Sequence, residues 1–393
     1  PWGTLCQYLL QLVNLVSGNL DRVGGALPNE PAIPITGPGT NPGTHGRWRS
    51  RVRGLPEFAG ELPVACMVEE IATPGDGKVR ALLTCAGNPV LSTPDGRAVD
   101  RALQGLEFMV AIDIYINETT RHADLILPPA SPLTQDHYDS IFNAFAVRRV
   151  ARLNRALHPR REDERADWEI VNGLGTAYAA SAGKPWQPLP PPRELIAIGL
   201  ARGDSGLDLT ALEAAPHGLD LGPLRPSLLA RLQTASGCIE CAPPALLAEL
   251  ERFAARERSD IANDGLRLIG RREVRSNNSW MHNIEVLVKG KERCTLLVHP
   301  NDAARLGLAE GALAKVASRV GELVAPVCIS DEVREGVVSL PHGWGHGVAG
   351  TRMGVAAGRA GVNSNLLSDP EQFDPLSGNA VLNGIPVTIS AAH

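Results

Sequence analysis

Two apolar runs separated by one amphipathic stretch constrain the fold of this 393-residue chain more than any other feature. The runs VRALLTCAG (79–87) and FMVAID (108–113) read as strands, and residues 96–105 between them have the pattern of a short helix. A third apolar run, ADLILPPA (123–130), follows closely and is interrupted by two prolines. Strands that alternate with a helix in this way predict a parallel sheet, because a helical crossover returns the chain in the same direction.

Closely spaced strands replace this pattern from about Gly265. The runs that read as strands are LRLIGRREV (266–274), IEVLVKG (284–290), the alternating residues 295–298, ALAKVAS (312–318), LVAPVCIS (323–330) and GVVSL (336–340). Gly321-Glu322 predicts a hairpin turn between ALAKVAS and LVAPVCIS, and Asn301 or Asp302 could cap a short helix that Gly307 ends. These features predict a small β-barrel with one short helix.

The N-terminal segment has the period of an amphipathic helix. Its apolar residues share one helical face: Leu5, Leu9, Leu12, Val13 and Val16. Gly18 is a suitable C-terminal stop for this helix. Because the chain begins at Pro1 and enters the helix at once, we expect that the N-terminus of the natural protein is missing.

Composition excludes several classes of function. Apolar residues are 44% and charged residues 21%, as in ordinary globular proteins, and the net charge of -5 without a basic run argues against a nucleic-acid groove. No apolar run approaches the roughly 20 residues that a membrane helix needs. Most of the seven cysteines stand in apolar runs, which predicts buried, reduced thiols and a cytoplasmic location.

Two polar residues stand where the predicted parallel strands end. Asn88 follows the first strand, and Asp113 ends the second. Ligands of open α/β sheets bind outside the carboxyl ends of the strands, so the two side chains could face one ligand, with Asp113 accepting N–H groups of a purine edge. Both residues suit helix or turn caps equally well.

The stretch RSNNSWMHN (275–283) is unusually rich in uncharged hydrogen-bonding side chains for a connection between two strands. An ordered hairpin with local side-chain bonds is one explanation. The density of donors and acceptors exceeds what a turn requires, which favours a bound polar ligand.

Three other motifs give weaker signals. Cys238-Ile-Glu-Cys241 has metal-ligand spacing but lacks a second pair, so a structural role is favoured. The Gly-rich segment 35–46 lacks a phosphate-binding pattern. His342 and His346 stand among glycines, which favours hydrogen-bonding loop residues over metal ligands.

Six stretches, in order along nearly the whole chain, together resemble the large subunit of molybdopterin oxidoreductases, the dimethyl sulfoxide reductase superfamily. They are GNLDRVGGA (18–26), CAGNPV (85–90), DIYINETTRHADLILPPAS (113–131), RADWEIV (165–171), HPNDAARLGLAEG (299–311) and NLLSDPEQFDPLSGNAVLNGIPVTI (365–389). The resemblance implies the C-terminal portion of such a subunit, whose N-terminal part would hold any iron–sulfur cluster and the metal-ligating residue.

The resemblance also implies the domain organisation and the cofactor. Residues 1–175 would be the second part of a discontinuous α/β domain with a returning segment, 176–262 a Pro-rich covering or linker region, and 263–393 a double-psi β-barrel that binds the dinucleotide. The cofactor would be molybdenum or tungsten held by two molybdopterin guanine dinucleotides. Expected partners are the missing N-terminal half, an electron-transfer subunit and a small-molecule substrate.

Family positions carried over to this chain imply a set of cofactor-binding residues. Gly87 and Asn88 would line one dinucleotide, Asp113 would read its guanine, and Asp167 would contact it from the returning segment. In the barrel loop that begins at Gly270, the implied contacts are Arg272 and Arg275 with pyrophosphate and Asn277, Asn278 and Ser279 with the pterin rim. Trp344 and Asn365 would lie near the second pterin, Trp280 and Met281 would pack beneath the loop, and His282 has no assigned role.

Some positions depart from the family pattern. Pro28-Asn29-Glu30-Pro31 replaces an Arg-Gly-Gln-Asn run of formate dehydrogenases, and Asn383 replaces a lysine common near the end of the barrel. The sequence therefore predicts a subunit of a two-electron oxidoreductase but does not identify its substrate. A non-redox hydratase of the same family and a cofactor-free electron-relay or scaffold subunit are the alternatives.

Overall fold

The computed structural model describes residues 1–37, 40, 43–255 and 265–392. The chain forms two compact units, each discontinuous in sequence. The first comprises Pro1–Gly3, Thr44–Pro128 and Ala254–His393, and the second comprises Thr4–Gly43 and Pro129–Phe253. These units cross the boundaries predicted at 175/176 and 262/263.

The helices and strands are as follows in chain order: α1 (Gly3–Val16), β1 (His45–Arg49), β2 (Pro56–Phe58), α2 (Met67–Ala72), β3 (Ala81–Cys85), α3 (Pro89–Ser92), α4 (Gly96–Leu103), β4 (Phe108–Ile112), β5 (Leu125–Ile126), β6 (His137–Tyr138), β7 (Arg148–Ala151), β8 (Leu153–Asn154), α5 (Asp167–Ala182), α6 (Pro192–Arg202), α7 (Leu209–Glu213), β9 (Leu219–Pro223), α8 (Pro244–Ala254), β10 (Leu266–Arg271), α9 (Glu285–Val288), β11 (Leu296–Val298), α10 (Pro300–Leu306), β12 (Leu313–Ala317), β13 (Glu322–Ile329), β14 (Val337–Pro341), α11 (Gly354–Ala357) and β15 (Ile385–Ala391).

A three-stranded parallel sheet forms one part of the first unit. β3, β4 and β5 pair in that order, with Leu82 opposite Met109. Helices α2, α3 and α4 contribute buried side chains that pack with Met109: Ile71, Val90, Val99, Ala102 and Leu103. The predicted order of strand, helix and strand is confirmed, and it places the carboxyl ends of β3 and β4 at the same edge of the sheet.

Helix α4 begins at a capping aspartate in a left-handed conformation. The carboxylate of Asp95 accepts the N–H of Ala98 at 3.1 Å, and its backbone φ is 49°. We expect Asp95→Ala to lower the free energy of unfolding by about 1 to 2 kcal/mol, since it removes the cap and places alanine at positive φ. Asp95→Asn retains both properties and should cost far less, and urea denaturation of the two variants compares them. Equal losses would contradict the capping role.

The second part of the first unit is a closed six-stranded barrel with the order β10, β14, β11, β13, β12, β15. The pairs β10/β14 and β11/β13 are parallel, and the other pairs are antiparallel. Alternate residues point inward, and seven of them have no solvent exposure: Leu296, Val298, Ala314, Val316, Ala325, Val338 and Leu340. The predicted combination of a parallel sheet with a C-terminal β-barrel is confirmed.

The segment IEVLVKG (284–290) is not a strand, contrary to the prediction. It forms the short helix α9, in which Val288 donates its N–H to the carbonyl of Ile284 at 3.2 Å. The reason lies in the barrel: β10 already pairs with β14 on one side and with β15 on the other, so it offers no free edge to the segment that follows it.

The cap of α10 also differs from the prediction. The imidazole of His299 accepts the N–H of Asn301 at 3.2 Å, so His299 is the cap, while Asn301 and Asp302 lie inside the helix. Asp302 is 1% exposed and accepts the N–H of Gly336 at 2.8 Å. The predicted stop at Gly307 and the hairpin between β12 and β13 are confirmed.

Two predictions of burial are wrong. Among the cysteines, Cys66 and Cys294 are buried, but four are exposed: Cys6, Cys85, Cys238 and Cys241. In α1, only Leu5 of the predicted apolar face is buried, whereas Val13 is 60% exposed. A periodic apolar pattern identifies a face but not the surface that covers it.

The second unit is built from helices and two small antiparallel strand pairs, β6 with β8 and β7 with β9. Its core includes Ala32, Ala151, Leu153, Leu200 and Leu212. Of the helices that the structure describes in the whole chain, none combines the length and the apolar character that a bilayer crossing requires.

Candidate functional site

A large polar cleft lies in the first unit, between the carboxyl edge of the parallel sheet and one end of the barrel. Its open volume is about 1470 Å³. The lining residues are Ala86, Gly87, Asn88, Leu91, Ser92, Gly270, Arg271, Arg272, Asn277, Asn278, Ser279, Trp280, His342, Gly343, Ser364, Asn365, Leu382 and Asn383. Among these lining residues there are two arginines and one histidine but no carboxylate.

The sheet contributes the loop that follows β3. Asn88 donates from Nδ2 to Glu118 Oε2 at 2.8 Å and accepts the hydroxyl of Thr119 at 2.7 Å. Its side chain makes no capping hydrogen bond to α3. The side chain of Asn88 therefore lines the cleft in a fixed orientation and does not cap α3, while its contact with a ligand stays a prediction.

Asp113 lies at the end of β4 but does not line the cleft. Its Oδ1 accepts the N–H groups of Ile114 and Tyr115 at 2.7 and 3.1 Å, and its Oδ2 accepts Asn117 Nδ2 at 3.1 Å. The carboxylate thus caps its own turn, which is the local role that the sequence also allowed.

The barrel contributes the loop 275–283, in which two asparagines adopt left-handed backbone angles. Asn277 has φ 42° and Asn278 has φ 62°. Asn278 Oδ1 accepts Arg272 at 3.1 Å and lies 2.8 Å from His342 Nε2, so three of the lining side chains are linked. Asparagine tolerates this conformation better than other side chains with a Cβ, which explains the unusual Asn-Asn pair.

The expectation for the apolar end of this loop is wrong for Trp280. The indole is 59% exposed and lines the cleft instead of packing beneath the loop. His282, which had no assigned role, is only 3% exposed and packs against Trp344 with a ring separation of 4.2 Å. A turn has no repeating pattern of apolar residues, so the sequence did not show that His282 is buried and Trp280 is exposed.

Arg275 and Trp344 line a second, smaller space, which we call the side cavity. Ten residues surround it: Arg275, Ser276, His282, Leu287, Val288, Lys291, Glu292, Arg293, Trp344 and Arg359. The structure therefore separates Arg275 from Arg272, although the sequence grouped them at one phosphate. The curvature of the loop decides which side of it each side chain occupies, and this curvature cannot be obtained from the spacing of residues in the sequence.

The remaining predicted residues lie in different places. Gly270 donates its N–H to Asn383 Oδ1 at 2.9 Å, and Asn365 donates from Nδ2 to the carbonyl of Leu91 at 2.7 Å, so both belong to the cleft wall. Asp167 is exposed at the start of α5 in the second unit.

Several lining residues were not predicted for a ligand: Ser92, Trp280, His342, Ser364 and Asn383. For Asn383, the sequence did give an indication of a special position, because this residue replaces a lysine that is common in the family.

A buried row of hydrogen bonds, the histidine chain, runs beneath the loop 275–283. Ser276 Oγ lies 2.7 Å from His282 Nε2, His282 Nδ1 lies 2.8 Å from His346 Nε2, and His346 Nδ1 lies 2.9 Å from Glu118 Oε1. Burial lowers the pKa of His282 to about 4. Burial would raise the pKa of Glu118, but the hydrogen bonds from His346 and Asn88 hold that pKa below its usual value.

Comparison with known sequence families gives two matches. Residues 21–177 match the family described as molybdopterin oxidoreductase, and residues 266–386 match the molybdopterin dinucleotide binding domain. The two matches occur in the order predicted from the sequence motifs.

Curated relatives show the same likeness. The nitrate reductase of Klebsiella oxytoca is 27% identical over 351 residues, which is 82% of this chain and 37% of that protein. The assimilatory nitrate reductase catalytic subunit of Bacillus subtilis is 35% identical over 111 residues, 28% of this chain and 14% of that protein. The chain thus spans well under half the length of these relatives.

Among solved structures, acetylene hydratase from Pelobacter acetylenicus has a similar fold. Its TM-score is 0.66 at 19% sequence identity, covering 85% of this chain and 47% of that chain. At this identity the likeness concerns the fold alone.

Proposed function

Because this chain belongs to the molybdopterin oxidoreductase family, we propose that it is the C-terminal, cofactor-gripping portion of a catalytic subunit that moves two electrons between a substrate and molybdenum or tungsten. The observation that carries this proposal is the polar cleft. It is large, rich in uncharged donors and acceptors, and lined by cationic side chains without a carboxylate.

The residues of the cleft fit a molybdopterin guanine dinucleotide. Asn88, Ser279 and Asn365 offer hydrogen-bonding groups of the kind that a pterin or a guanine pairs with, and Arg272 offers a cation suited to phosphate. The exposed indole of Trp280 offers an aromatic face to a ring system. When bound, the metal and its pterins supply the redox chemistry, while these side chains bind the group, orient it and exclude water.

Other assignments remain part of the proposal. Asp113 lies at the carboxyl end of β4, and its Oδ2, with one donor, has capacity for a further N–H group from a guanine edge. The contact of Asp167 with a dinucleotide, which the family resemblance implies, also stays part of the proposal. Pairing of Arg275 with pyrophosphate and a place for Trp344 near the second pterin also stay part of the proposal, and both residues line the side cavity.

Domain organisation and partners are proposed on the family matches. The division into 1–175, 176–262 and 263–393 is supported by matches that end at residue 177 and begin at residue 266. The Bacillus relative is named as a catalytic subunit, which supports assembly with further polypeptides. We propose an N-terminal portion of the same subunit, an electron-transfer subunit and a small-molecule substrate as the partners.

Replacing the two left-handed asparagines by glycine tests the cofactor site. We expect Asn277→Gly combined with Asn278→Gly to weaken dinucleotide binding about tenfold, because two hydrogen-bonding side chains are lost while glycine preserves the backbone. The measurements are molybdenum or tungsten by elemental analysis and guanine nucleotide after acid release, both in the full-length protein. Asn379→Gly, an exposed asparagine outside the cleft, is the matched control. Unchanged occupancy in the double variant would contradict the assignment.

Electron paramagnetic resonance of the full-length protein during turnover tests the redox function. We expect the metal to change oxidation state with an electron donor and an oxidising substrate. A metal that is present but keeps one oxidation state throughout turnover would favour the hydratase alternative. Absence of both metal and pterin from a folded, freshly purified protein would favour the scaffold alternative.

A further inference from the structure

The histidine chain is more elaborate than a cofactor-binding wall requires. Ser276 and His282 are each 3% exposed, His346 is 6% exposed, and Glu118 is fully buried. None of these four residues lines the polar cleft. Burying two imidazoles and a carboxylate costs free energy that an apolar core would not, so the arrangement calls for a role of its own.

The hydrogen bonds define one consistent protonation state. A Glu118 carboxylate can only accept, so His346 donates from Nδ1 and its neutral Nε2 accepts from His282 Nδ1. His282 Nε2 must then accept the hydroxyl proton of Ser276. Both histidines are neutral in this state, and every bond in the row points from Ser276 toward Glu118.

One added proton reverses part of the row without moving any ring. If His282 gains a proton at Nε2 and passes its Nδ1 proton to His346 Nε2, His346 becomes an imidazolium beside the Glu118 carboxylate. The added proton comes from a hydronium ion, which becomes water as its O–H bond breaks and the Nε2–H bond of His282 forms. The transfer between the two rings breaks one N–H bond and forms another, and no electrons are transferred. Ser276 then changes from donor to acceptor, which its hydroxyl can do by rotation.

The two ends of the row lie at different spaces. Ser276 and His282 line the side cavity. Its other lining residues include four cations and one carboxylate: Arg275, Lys291, Arg293, Arg359 and Glu292. At the other end, Glu118 Oε2 accepts Asn88 Nδ2, and Asn88 lines the polar cleft. The charged and titratable groups that act on His282 are His346, His342 and Glu118.

We propose that Ser276, His282 and His346 form a proton relay that carries one proton reversibly from water in the side cavity to the His346–Glu118 pair, beneath the polar cleft. The proton would compensate a negative charge gained by the molecule in the cleft, an inference that rests on the proposed function. The histidines are positioning residues in this scheme, since they contact the cleft only through Glu118 and Asn88.

Nitrogen-15 NMR of histidine-labelled full-length protein tests the relay with or without a bound cofactor. We expect the neutral form of each ring to carry its proton at Nδ1, and the signals of both rings to change together when the row takes up one added proton. Variants His282→Gln and His346→Gln assign the signals. Independent titration of two protons, or an Nε2 proton on neutral His346, would overturn the relay.

The rate of proton exchange at His346 provides the second readout. In His282→Gln, exchange with water should be slowed by about tenfold or more, because it then requires local opening of the structure. His137→Gln, which changes an exposed histidine, is the control and should leave the rate unchanged. An unchanged rate in folded His282→Gln would contradict conduction through this ring.

Proton uptake on reduction separates this proposal from the proposed function. In protein that contains the cofactor, a pH-indicator dye should report about one proton fewer per reduced molecule in His346→Gln, which removes the acceptor, than in the parent protein. Equal uptake would overturn the charge-compensating role. If purified protein contains no cofactor, the proposed function and the compensating role both fail, while the NMR result still decides whether the relay exists.

Discussion

The variant Gly343→Ala should lose about 3 kcal/mol of unfolding free energy and most of its cofactor content. A Cβ atom at this position would lie 2.1 Å from the carbonyl oxygen of Asn278, and the glycine has φ 92°. Positive φ costs an alanine roughly 1 to 2 kcal/mol, and forcing apart two packed backbones costs roughly 1 to 3 kcal/mol more. The displaced backbone belongs to the loop 275–283, so the cleft should be distorted as well.

Gly336→Ala is the matched control for this prediction. Gly336 also has positive φ, 81°, but a Cβ atom added there would have no neighbouring atom within 4 Å. Its substitution should therefore cost only the roughly 1 to 2 kcal/mol of the backbone conformation. Denaturation and metal content, measured for both variants in the full-length protein, separate steric conflict from backbone strain. Similar values for the two would show that the approach of Gly343 to Asn278 is not a tight packing contact.

Acid should destabilise the first unit through His282. Its pKa is lowered from 6.5 in the unfolded chain to about 4 by burial, so the unfolded state binds a proton between these values and the folded state does not. The free energy of unfolding is therefore unaffected by this group above pH 6.5 and falls as the pH drops from 6.5 to 4. The lowered pKa corresponds to a loss of about 3 kcal/mol at the acid end.

Removing the imidazole should remove this pH dependence. In His282→Gln, the slope of unfolding free energy against pH between 6.5 and 4 should be smaller by up to about one proton equivalent. Glu118 contributes at lower pH, because its lowered pKa adds stability that is lost only as the pH falls through that folded-state value. The exposed His137 serves again as the control. An unchanged slope in His282→Gln would show that folding does not lower the pKa of His282.

Local patterns predicted most of the regular structure near the cleft. Strands β3 and β4 and helix α4 follow from apolar periodicity and from punctuation by Gly and Pro. The hairpin of β12 and β13 follows from Gly321, and the end of α10 from Gly307. These features depend on interactions within a few residues, which is the range that sequence patterns report.

Features that depend on distant partners were mispredicted. IEVLVKG has strand-like composition, but β14 and β15 occupy both edges of β10, and neither pairing can be obtained from residues 284–290 themselves. His299 caps α10 in place of the expected residues, and the carboxylate of Asp302 instead accepts the N–H of Gly336, more than thirty residues later. Val13 in α1 is exposed for a similar reason. The sequence showed that the helix has an apolar face but not whether another part of the protein packs against it.

The sequence by itself carried the resemblance to the family in its ordered motifs. Residue types and their spacing determined the order of a parallel sheet and a barrel and the density of polar groups in the loop 275–283. Only the tertiary structure decided which side of that loop each residue faces. Asn277, Asn278 and Trp280 line the cleft, whereas Arg275 lines the side cavity. His282 is hydrogen-bonded to His346, which in turn is hydrogen-bonded to Glu118. The physical reason is that consecutive left-handed residues reverse the chain within one turn, and the partners that satisfy the buried polar groups come from segments 64 and 228 residues apart.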